Sequence, residues 1–600
     1  MDIFSVLTMI GGLALFLYGM SVMGDSLSKL SGGRLESILE RLTSTKLRAV
    51  ILGALVTAVI QSSSATTVMV VGFVNSGIMQ LSQSVGIIMG ANIGTTITSW
   101  LLSLAGISGE SVLIRLLKPS SFSPVLAAVG VILTMTAKDN HKKRDIGSIF
   151  LGFAILMFGM ETMSDAVKPL SGNETFTGIL TMFSNPLLGM LAGAVLTAVI
   201  QSSSASVGIL QALCVTGAVS YASAIPIIMG QNIGTCVTAI ISSVGASRNA
   251  KRASMIHLYF NLIGTIVFMV VFYGINAVAP FGFLQTGADA VGIAVIHSLF
   301  NIGCAVILFP FSGLLVRLAA LTVRDGAEGV GRENQEKLPS ELKALDERFL
   351  DKPAFAMELC RNVANSMAVE TRMGILAALS QLREYQEERS EKIRASEKLL
   401  DTYEDILGTY LVKLSGKDLT RADSQSLSIL LHCSSDLERI SDHSVNILEG
   451  ILEMRENGQT FSERAMQELE VLIGAVEDIV ELTIECFVNK DLQKAKKIEP
   501  LEEVIDDMVV KLKDRHVDRL KKGQCTTAGG MAFIDLITNL ERVADQCSNV
   551  ALLIMSYDDS SIIGNYHGYI KELHKGGEVN YDAELAKRKE QYLDRLYKII

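Results

Sequence analysis

Two polar quartets interrupt otherwise apolar stretches of this sequence. Gln-Ser-Ser-Ser occupies positions 61–64 and again 201–204, each time after the apolar residues Ala-Val-Ile. Hydroxyls both donate and accept hydrogen bonds, and hydroxyl and amide oxygens are hard donors suited to Na⁺. A half-helix that begins at such a quartet adds free N–H groups carrying roughly half a positive charge, which attract anions. The quartets therefore predict a site that holds an anion and a cation without a charged side chain.

A second polar block also occurs twice. GANIGTT at 90–96 and GQNIGTC at 230–236 place an asparagine and a threonine between glycines, which allow close backbone approach or local unwinding. We expect these residues to face the quartets. The candidate binding residues are Gln61, Ser62, Ser63, Ser64, Thr66, Asn92, Thr95, Gln201, Ser202, Ser203, Ser204, Asn232 and Thr235. The alternative is that serine, threonine and glycine only pack helices closely, as they often do in membranes.

The elements that position these residues are predicted to cross a membrane. The apolar run Ile3–Met23 has the length of about 20 residues that spans a ~30 Å hydrocarbon core, and we interpret it as a retained span rather than a cleaved signal. Two segments, 49–79 and 185–216, are too long for one crossing and too short for two, and a quartet breaks each. They predict re-entrant hairpins, whose irregular tips need protein or water around them. Six further crossings are predicted, at 81–104, 122–137, 146–163, 220–245, 253–275 and 290–320.

The chain contains an internal repeat with a constant offset of 140 residues. Positions 53–65 match 193–205 at 11 of 13 residues, and another block, 87–95, matches its counterpart at 8 of 9. Three predicted crossings separate equivalent points, and because three is odd, the repeats (about 3–137 and 143–275) must be inverted. Inverted repeats bring two broken helices together near the midplane in many secondary transporters. No Lys or Arg is expected at that depth, so an anion there needs neutral donors and a co-bound cation.

The charged residues predict the orientation of the spans. Basic clusters at 29–48, 138–144 and 248–252 fall on one side of the seven crossings, which places them in the cytoplasm and the N-terminus outside. The first 320 residues hold 16 basic and 11 acidic side chains; since the whole chain has 53 and 63, the remainder holds 37 and 52. This remainder is predicted to be an acidic cytoplasmic domain, and no nucleic acid is expected as a partner.

Two further features each have two interpretations. His-x-x-Phe-Asn occurs at 257–261 and 297–301 on the last two crossings. A histidine there either carries protons or donates one hydrogen bond to a neighbouring helix. Asp25 and Asp165 are equivalent in the repeat, and they are either gate or cation residues or solvated acids at span ends.

The doubled QSSS, the doubled GxNIGT and HxxFN make residues 1–323 resemble the sodium/phosphate cotransporter family of animals and bacteria. The resemblance implies inorganic phosphate as substrate, Na⁺ as coupling ion, and the quartets as their shared site in a bacterial plasma membrane. Which serines hold phosphate and which hold Na⁺ stays open, as do import versus export and the stoichiometry. The alternatives are a membrane-anchored phosphate sensor or adaptor without productive transport, and a transporter of another oxyanion.

The second half of the sequence has a different pattern. After a Gly- and Glu-rich linker at 324–341, charged amphipathic segments typical of helical bundles follow. DLERISDHSVNI at 436–447 returns as NLERVADQCSNV at 539–550. Each copy places Glu and Asp four residues apart, where they either share a cation or form surface salt bridges. These residues are Glu438, Asp442, Glu541 and Asp545, and the pairs Asp401/Asp405 and Glu502/Asp506 have the same spacing.

This pattern resembles the PhoU family of phosphate-regulation proteins, two three-helix bundles whose acidic motifs are associated with metal binding. The resemblance implies a regulatory PhoU-like domain at 342–560, with a divalent or iron-type metal on the four acids Glu438, Asp442, Glu541 and Asp545. Gln546 departs from the pattern, since the first copy has His443 there. A cytoplasmic regulatory partner and a homodimer are further expectations, and 561–600 is predicted to be a polar tail.

Nothing in either half predicts an enzyme. The sequence has no Walker loop and no nucleophile elbow, and its eight cysteines include no CxxC pair or zinc-ligand spacing. The predicted architecture is all-α: a polytopic membrane domain with inverted repeats and two re-entrant hairpins, followed by a cytoplasmic PhoU-like helical bundle.

Overall fold

The computed structural model describes residues 3–31, 45–104, 119–137, 141–169, 173–214, 216–324, 338–558, 562, 565–574 and 579–599. The chain divides into two compact units, Met1–Phe349 and Leu350–Ile600. Within the described residues every regular element is a helix, and the β-bridge between Ser220 and Gly287 joins single residues. The all-α prediction is therefore confirmed. Most of the predicted linker, 325–337, lies outside the described residues.

The helices of the first unit follow the predicted spans and hairpins. They are α1 Ile3–Ser31, α2 Lys46–Ile60, α3 Ser63–Asn75, α4 Leu81–Ser103, α5 Pro119–Met135, α6 His141–Val167, α7 Glu174–Met182, α8 Pro186–Ile200, α9 Ser203–Cys214, α10 Tyr221–Ser242, α11 Arg248–Val278, α12 Ala290–Leu308 and α13 Ser312–Thr322. Among the described helices, α1, α4, α6, α10, α11 and α12 are long and apolar enough to cross a membrane. The chain is thus a multi-pass membrane protein.

The sequence repeat is kept in the fold. Helices α2, α3 and α4 begin 140 residues before α8, α9 and α10. The equivalent helices α1 and α6 pack against each other in opposite directions, with Gly12 against Gly159 and Gly19 against Gly152. A β-carbon at Gly19 would lie 2.6 Å from the carbonyl oxygen of Gly152, so a larger residue does not fit. Because equivalent helices run antiparallel, the repeats are inverted, as predicted.

The predicted crossing at 290–320 is two helices. α12 ends at Leu308 and α13 begins at Ser312, with Pro310 between them. Proline has no N–H and clashes with the preceding turn, so a regular helix does not run through it. The break places the exposed Arg317 on α13 and leaves α12 without a basic residue.

The first unit extends past the last membrane helix. After the short helix α14 (Ser340–Lys343), the chain packs on the end of α3. The Phe349 ring lies 5.3 Å from the Phe73 ring, and Asn75 Nδ2 donates to Asp346 Oδ2 at 2.6 Å. The helical domain is predicted to begin at 342, whereas the second compact unit begins at Leu350.

The second unit contains two three-helix bundles, as the resemblance implies. The first consists of α15 Pro353–Arg383, α16 Glu387–Ser415 and α17 Arg421–Glu456. The second consists of α18 Glu463–Asn489, α20 Ile498–Lys521 and α21 Thr527–Met555, with the one-turn α19 (Leu492–Ala495) inserted before α20. Apolar residues at helical spacing close each core; on α17, Leu437, Ile440 and Leu448 are buried.

The predicted polar tail is helical where it is described. It forms α22 Tyr566–Leu573, α23 Val579–Arg588, a π-helical turn Lys589–Leu593 and α24 Asp594–Lys598. Leu596 is fully buried, and Tyr581 donates its hydroxyl hydrogen to Glu503 of α20 at 2.8 Å. The tail is therefore part of the packing of the second unit.

Candidate functional site

Both re-entrant hairpins are present, and their tips have the same backbone turn. α2 ends at Ile60 and α3 begins at Ser63; the residue after α2, Gln61, has φ 59° and ψ 23°. Its equivalent Gln201, between α8 and α9, has φ 58° and ψ 23°. A non-glycine residue with positive φ is uncommon and persists only where its surroundings impose it. The predicted broken helices are therefore confirmed at both quartets.

The first serine of each quartet caps the second half-helix. Ser62 Oγ accepts a hydrogen bond from the Ala65 N–H at 3.1 Å, and Ser202 Oγ accepts one from the Ala205 N–H at 3.2 Å. Capping satisfies one of the free N–H groups at a helix start. These two serines thus fix the position of the half-helices, and each hydroxyl keeps its own hydrogen to donate.

The two tips meet inside the first unit. Ser64 Oγ of the first hairpin lies 3.5 Å from the carbonyl oxygen of Gln201 in the second. Ser63, Ser203 and Ser204 are buried residues at the starts of α3 and α9, and no described hydrogen bond uses their hydroxyls. Hydroxyls that are free at a helix start are suited to a ligand.

Thr66 is occupied within its own hairpin. Its hydroxyl accepts from Thr57 Oγ1 at 2.9 Å and donates to the Ser62 carbonyl at 3.1 Å, and the residue is fully buried. One contact of the first tip was not anticipated from the sequence: Thr98 Oγ1 of α4 donates to Gln61 Oε1 at 2.8 Å. Thr98 has an equivalent in the repeat, Thr238, and this match is the signal that points to it.

The second repeated block lies on continuous helices. Asn92 and Thr95 donate to carbonyls one turn earlier in α4, and Thr235 does the same in α10, while Asn232 donates to Asn301 Oδ1 at 2.8 Å. None of the four side chains has a described hydrogen bond to a quartet. The glycines of the block serve close approach rather than unwinding: a β-carbon at Gly94 would lie 2.5 Å from the Ala54 carbonyl oxygen of α2. α4 and α10 therefore support the hairpins from one side.

The two HxxFN motifs link helices across the unit. His297 Nδ1 on α12 lies 2.6 Å from Ser99 Oγ on α4, and Asn301 accepts the bond from Asn232. His257 is buried, and neither ring nitrogen has a partner among the described residues. Gln211, which the sequence did not single out, donates to the carbonyls of Ser99 and Ala290 at 3.1 and 2.9 Å. These contacts hold the second hairpin against α4 and α12.

The charged residues of the first unit lie away from the tips. Asp165 pairs with Lys168 at 2.5 Å on an exposed surface, and Asp25 accepts from Ser21. Neither contact reaches a quartet, and within the described residues no Lys or Arg hydrogen-bonds to one. The tips thus offer hydroxyls, carbonyls, amides and helix N-termini, which are groups suited to an anion and a hard cation without fixed charge.

Each bundle of the second unit gathers three carboxylates. Glu397 and Asp401 of α16 meet Asp442 of α17, with one oxygen of each within 4.8 Å of the others. The second bundle repeats this arrangement with Glu502, Asp506 and Asp545. The acidic pair comes from the second helix of the bundle and the single aspartate from the third. Glu397 was not singled out from the sequence, although EKLLD at 397–401 has the same Glu/Asp spacing.

The other two predicted ligands lie beside these groups. Burial and then the charge of Asp442 raise the pKa of Glu438 to about 7. Burial and the charge of Asp401 raise the pKa of Asp442, whereas its hydrogen bond with Glu438 lowers it. The Glu541 carboxylate forms a salt bridge with Lys513 Nζ at 2.9 Å. His443 Nδ1 lies 2.9 Å from Asn539 Oδ1. Glu438 is thus close to the first group, while Glu541 has a cationic partner already.

The carboxylate groups fit a metal by their chemistry. Burial and neighbouring acids raise the pKa of Glu502 to about 9 and that of Asp506 to about 6, because negative charge there is poorly solvated and repelled. A hard divalent cation or iron would balance this charge and takes oxygen donors at such spacing. Glu397, Asp401 and Asp442 would hold it in the first bundle, and Glu502, Asp506 and Asp545 in the second.

Comparison with known families divides the chain in the same way as the structure. Residues 15–165 and 155–296 each match the Na⁺/Pi-cotransporter family, one copy per repeat. Residues 365–451 and 469–554 each match the PhoU domain, one copy per bundle.

Three individual relatives illustrate both parts. The chain is 24% identical over 574 residues to "Putative inorganic phosphate export protein YjbB" of Salmonella typhimurium, covering 92% of this chain and 98% of that one. It is 33% identical over 137 residues to "Sodium-dependent phosphate transport protein 2B" of Homo sapiens, 21% of this chain and 20% of that one. It is 31% identical over 121 residues to "Phosphate-specific transport system accessory protein PhoU homolog 1" of Thermotoga maritima, 20% of this chain and 51% of that one. Residues 15–296 thus match the Na⁺/Pi-cotransporter family, and the second part of the chain matches the PhoU domain twice.

Proposed function

We propose that this protein moves inorganic phosphate across a membrane together with Na⁺, by alternating access around the two hairpin tips. The observation that carries the proposal is the meeting of the tips, Ser64 Oγ 3.5 Å from the Gln201 carbonyl, beside serines whose hydroxyls make no described hydrogen bond. The inverted repeats support alternating access, because exchanging the conformations of two such halves opens the site to the other side.

Charge balance supports the coupling to sodium. Phosphate carries one to two negative charges near neutral pH, and an uncompensated charge at the membrane midplane costs many kcal/mol. Serine hydroxyls and the N-termini of α3 and α9 would hold the phosphate oxygens. Glutamine and carbonyl oxygens of the tips would hold Na⁺, and two or more Na⁺ per divalent phosphate would leave the loaded site neutral.

The gradients would set the direction of flux. The same neutral site can load from either side, so an inward Na⁺ gradient would drive phosphate in, and a high internal phosphate concentration would drive it out. One relative is named for phosphate export and another for sodium-dependent phosphate transport, which supports one mechanism running in both directions.

The second unit would regulate this flux. We place the protein in a bacterial plasma membrane with the PhoU domain in the cytoplasm, on the side of the basic clusters. Metal on the carboxylate groups, a regulatory partner of the bundles, and a homodimer are parts of the proposal that rest on the family resemblance and on the carboxylate geometry.

Reconstitution tests the proposed function. The purified full chain in liposomes should accumulate labelled phosphate above its equilibrium level under an inward Na⁺ gradient and not under a matched K⁺ gradient. Equal accumulation in both would contradict sodium coupling. Retained phosphate binding without any accumulation would instead identify a sensor or adaptor, and stronger competition by sulfate than by unlabelled phosphate would identify another oxyanion as the substrate.

A further inference from the structure

The two hairpin tips have the same backbone conformation, but their glutamine side chains differ in burial and in hydrogen bonding. Gln61 is buried: its Oε1 accepts from Thr98 Oγ1 at 2.8 Å, and its Nε2 donates to the Ala58 carbonyl. Gln201 has the same φ and ψ, yet its side chain is exposed and has no described hydrogen bond. The two repeats therefore differ in the side-chain hydrogen bonds of this glutamine, although the backbone turn at both tips is the same.

Three hydroxyls of the second repeat lack the hydrogen bonds that their equivalents make in the first repeat. Thr238 is the repeat equivalent of Thr98, and its Oγ1 is buried with no partner among the described residues. Thr197 and Ser206 are the equivalents of the bonded pair Thr57 and Thr66, and their hydroxyls are also buried and unpaired in that part of the chain. A buried hydroxyl without a partner is costly, whereas a hydrogen-bonded one contributes modestly to stability.

We propose that Gln61–Thr98 and Gln201–Thr238 are two halves of an alternating latch. One glutamine is bound to its threonine while the other is released, and the two exchange roles when the carrier changes the side to which it opens. Thr98 and Thr238 are then positioning residues that decide which glutamine amide faces the ligand. This inference rests on the proposed function.

The inverted repeat supplies the physical reason. The opposite-facing state of such a protein is obtained by giving each repeat the conformation of the other. In that state Gln201 would turn inward to Thr238, the hydroxyls of Thr197 and Ser206 would bond as their equivalents do here, and Gln61 would be released. Each state therefore satisfies one set of hydroxyls and leaves the other set open, so the two states differ little in free energy, as a carrier requires.

The latch also explains how the ligand site changes with the state. Both polar atoms of the Gln61 amide are used in the structure, one by Thr98 and one by Ala58, so this amide has little left for a ligand. The Gln201 amide is free in the same structure. Its oxygen suits Na⁺ and its nitrogen suits a phosphate oxygen, so the released glutamine completes the site.

Hydrogen exchange on the full chain in lipid nanodiscs, without phosphate, tests the latch. The peptides to compare are 58–66 and 198–206. Thr98→Val removes the bond seen here and should raise exchange at the first tip and lower it at the second. Thr238→Val should do the opposite, and the double variant should return both tips toward wild type. One buried hydrogen bond corresponds to a change of roughly two- to tenfold in the ratio of the states.

Two control variants separate the latch from a packing effect. Thr98→Ser keeps the hydroxyl and should match wild type. Thr96→Val removes a neighbouring hydroxyl that bonds only to the Ile93 carbonyl of its own helix, so it should move neither tip. Shifts of both tips in one direction, or equal shifts with Thr96→Val, would overturn the latch. Exchange needs no transport, so opposite shifts in a protein that fails to accumulate phosphate would refute the proposed function and leave the latch standing.

Discussion

The two units of this protein gather polar groups of opposite kinds. At the hairpin tips of the first unit, every described donor is a hydroxyl, an amide or a backbone group, and within the described residues no basic side chain bonds to a quartet. In the second unit, three carboxylates are held together in each bundle, and burial with repulsion from neighbouring acids raises the pKa values of Glu502 and Asp506. A charged side chain fixed at the membrane midplane costs free energy in every state of the transport cycle. An acid near solvent can instead stay protonated until a cation binds. Under the proposed function, the site in the first unit must release its ions in every cycle, whereas the carboxylate groups of the second unit can retain a metal.

The largest effect should come from substitutions at the uncharged hairpin tips of the first unit. Ser63→Ala or Ser203→Ala removes a hydroxyl at a hairpin tip that makes no described hydrogen bond, and we expect phosphate uptake in liposomes to fall about ten- to hundredfold with normal expression. Ser103→Ala is the matched control, because its hydroxyl bonds to the Trp100 carbonyl of its own helix. Wild-type rates in both tip variants would mean that the quartets only pack helices.

The charged side is tested by removing one aspartate from each carboxylate group. Asp442→Asn and Asp545→Asn should each remove roughly half of the metal bound by the full chain after incubation with Mn²⁺ or Fe²⁺, as counted by elemental analysis. Uptake should persist, while its response to metal should change. Asp535→Asn is the control on α21, since Asp535 is exposed and outside both groups. No metal on the wild-type protein would contradict the assignment.

A smaller effect should appear in the stability of the metal-free protein against pH. The folded pKa values of Glu438, about 7, and Glu502, about 9, lie above those of an unfolded chain, so protonation favours the fold. Stability is therefore greatest below the unfolded pKa and is lost as pH rises toward the folded values. Calorimetry should show the second unit melting lower at pH 9 than at pH 6, with Mn²⁺ reducing the difference; a rise with pH would contradict the account.

The smallest effect should come from the membrane histidines. His297 bonds Ser99 across helices, which favours packing over proton transfer, and His257 has no hydrogen-bond partner within the described part of the chain through which a proton would pass. His257→Gln should leave Na⁺-driven uptake within about twofold of wild type, and His297→Gln, which can still bond Ser99, should do the same. Loss of uptake, or of its dependence on pH, would give a histidine a role in proton movement.

The sequence predicted the features that recur in it. Two copies of QSSS at a fixed offset predicted the hairpins, and the turns at Gln61 and Gln201 have the same dihedral angles. The latch could not be predicted from the sequence, because it depends on one glutamine being hydrogen-bonded to its threonine and the other not. The sequences around the two glutamines are nearly the same. Contacts between helices distant in sequence, such as that of Gln211 with Ala290, also leave no periodic signal.

Local context explains the other differences. Pro310 divides a segment whose composition is mostly apolar, so mean hydropathy alone indicates one span. Glu397 is a candidate ligand because α16 packs against α17, which brings its carboxylate close to that of Asp442. This packing is not visible in the sequence. The apolar residues of the tail, such as Leu596, are too few to form a pattern, yet they are buried against the bundles.

The most direct test is equilibrium binding of labelled phosphate to the detergent-solubilised full chain at a series of Na⁺ concentrations, with choline replacing Na⁺. A site built from neutral groups should bind phosphate only when Na⁺ is present, with an affinity that rises more than in proportion to the Na⁺ concentration. Phosphate binding of equal affinity in choline alone would show that a fixed positive charge balances the anion, and it would contradict the account.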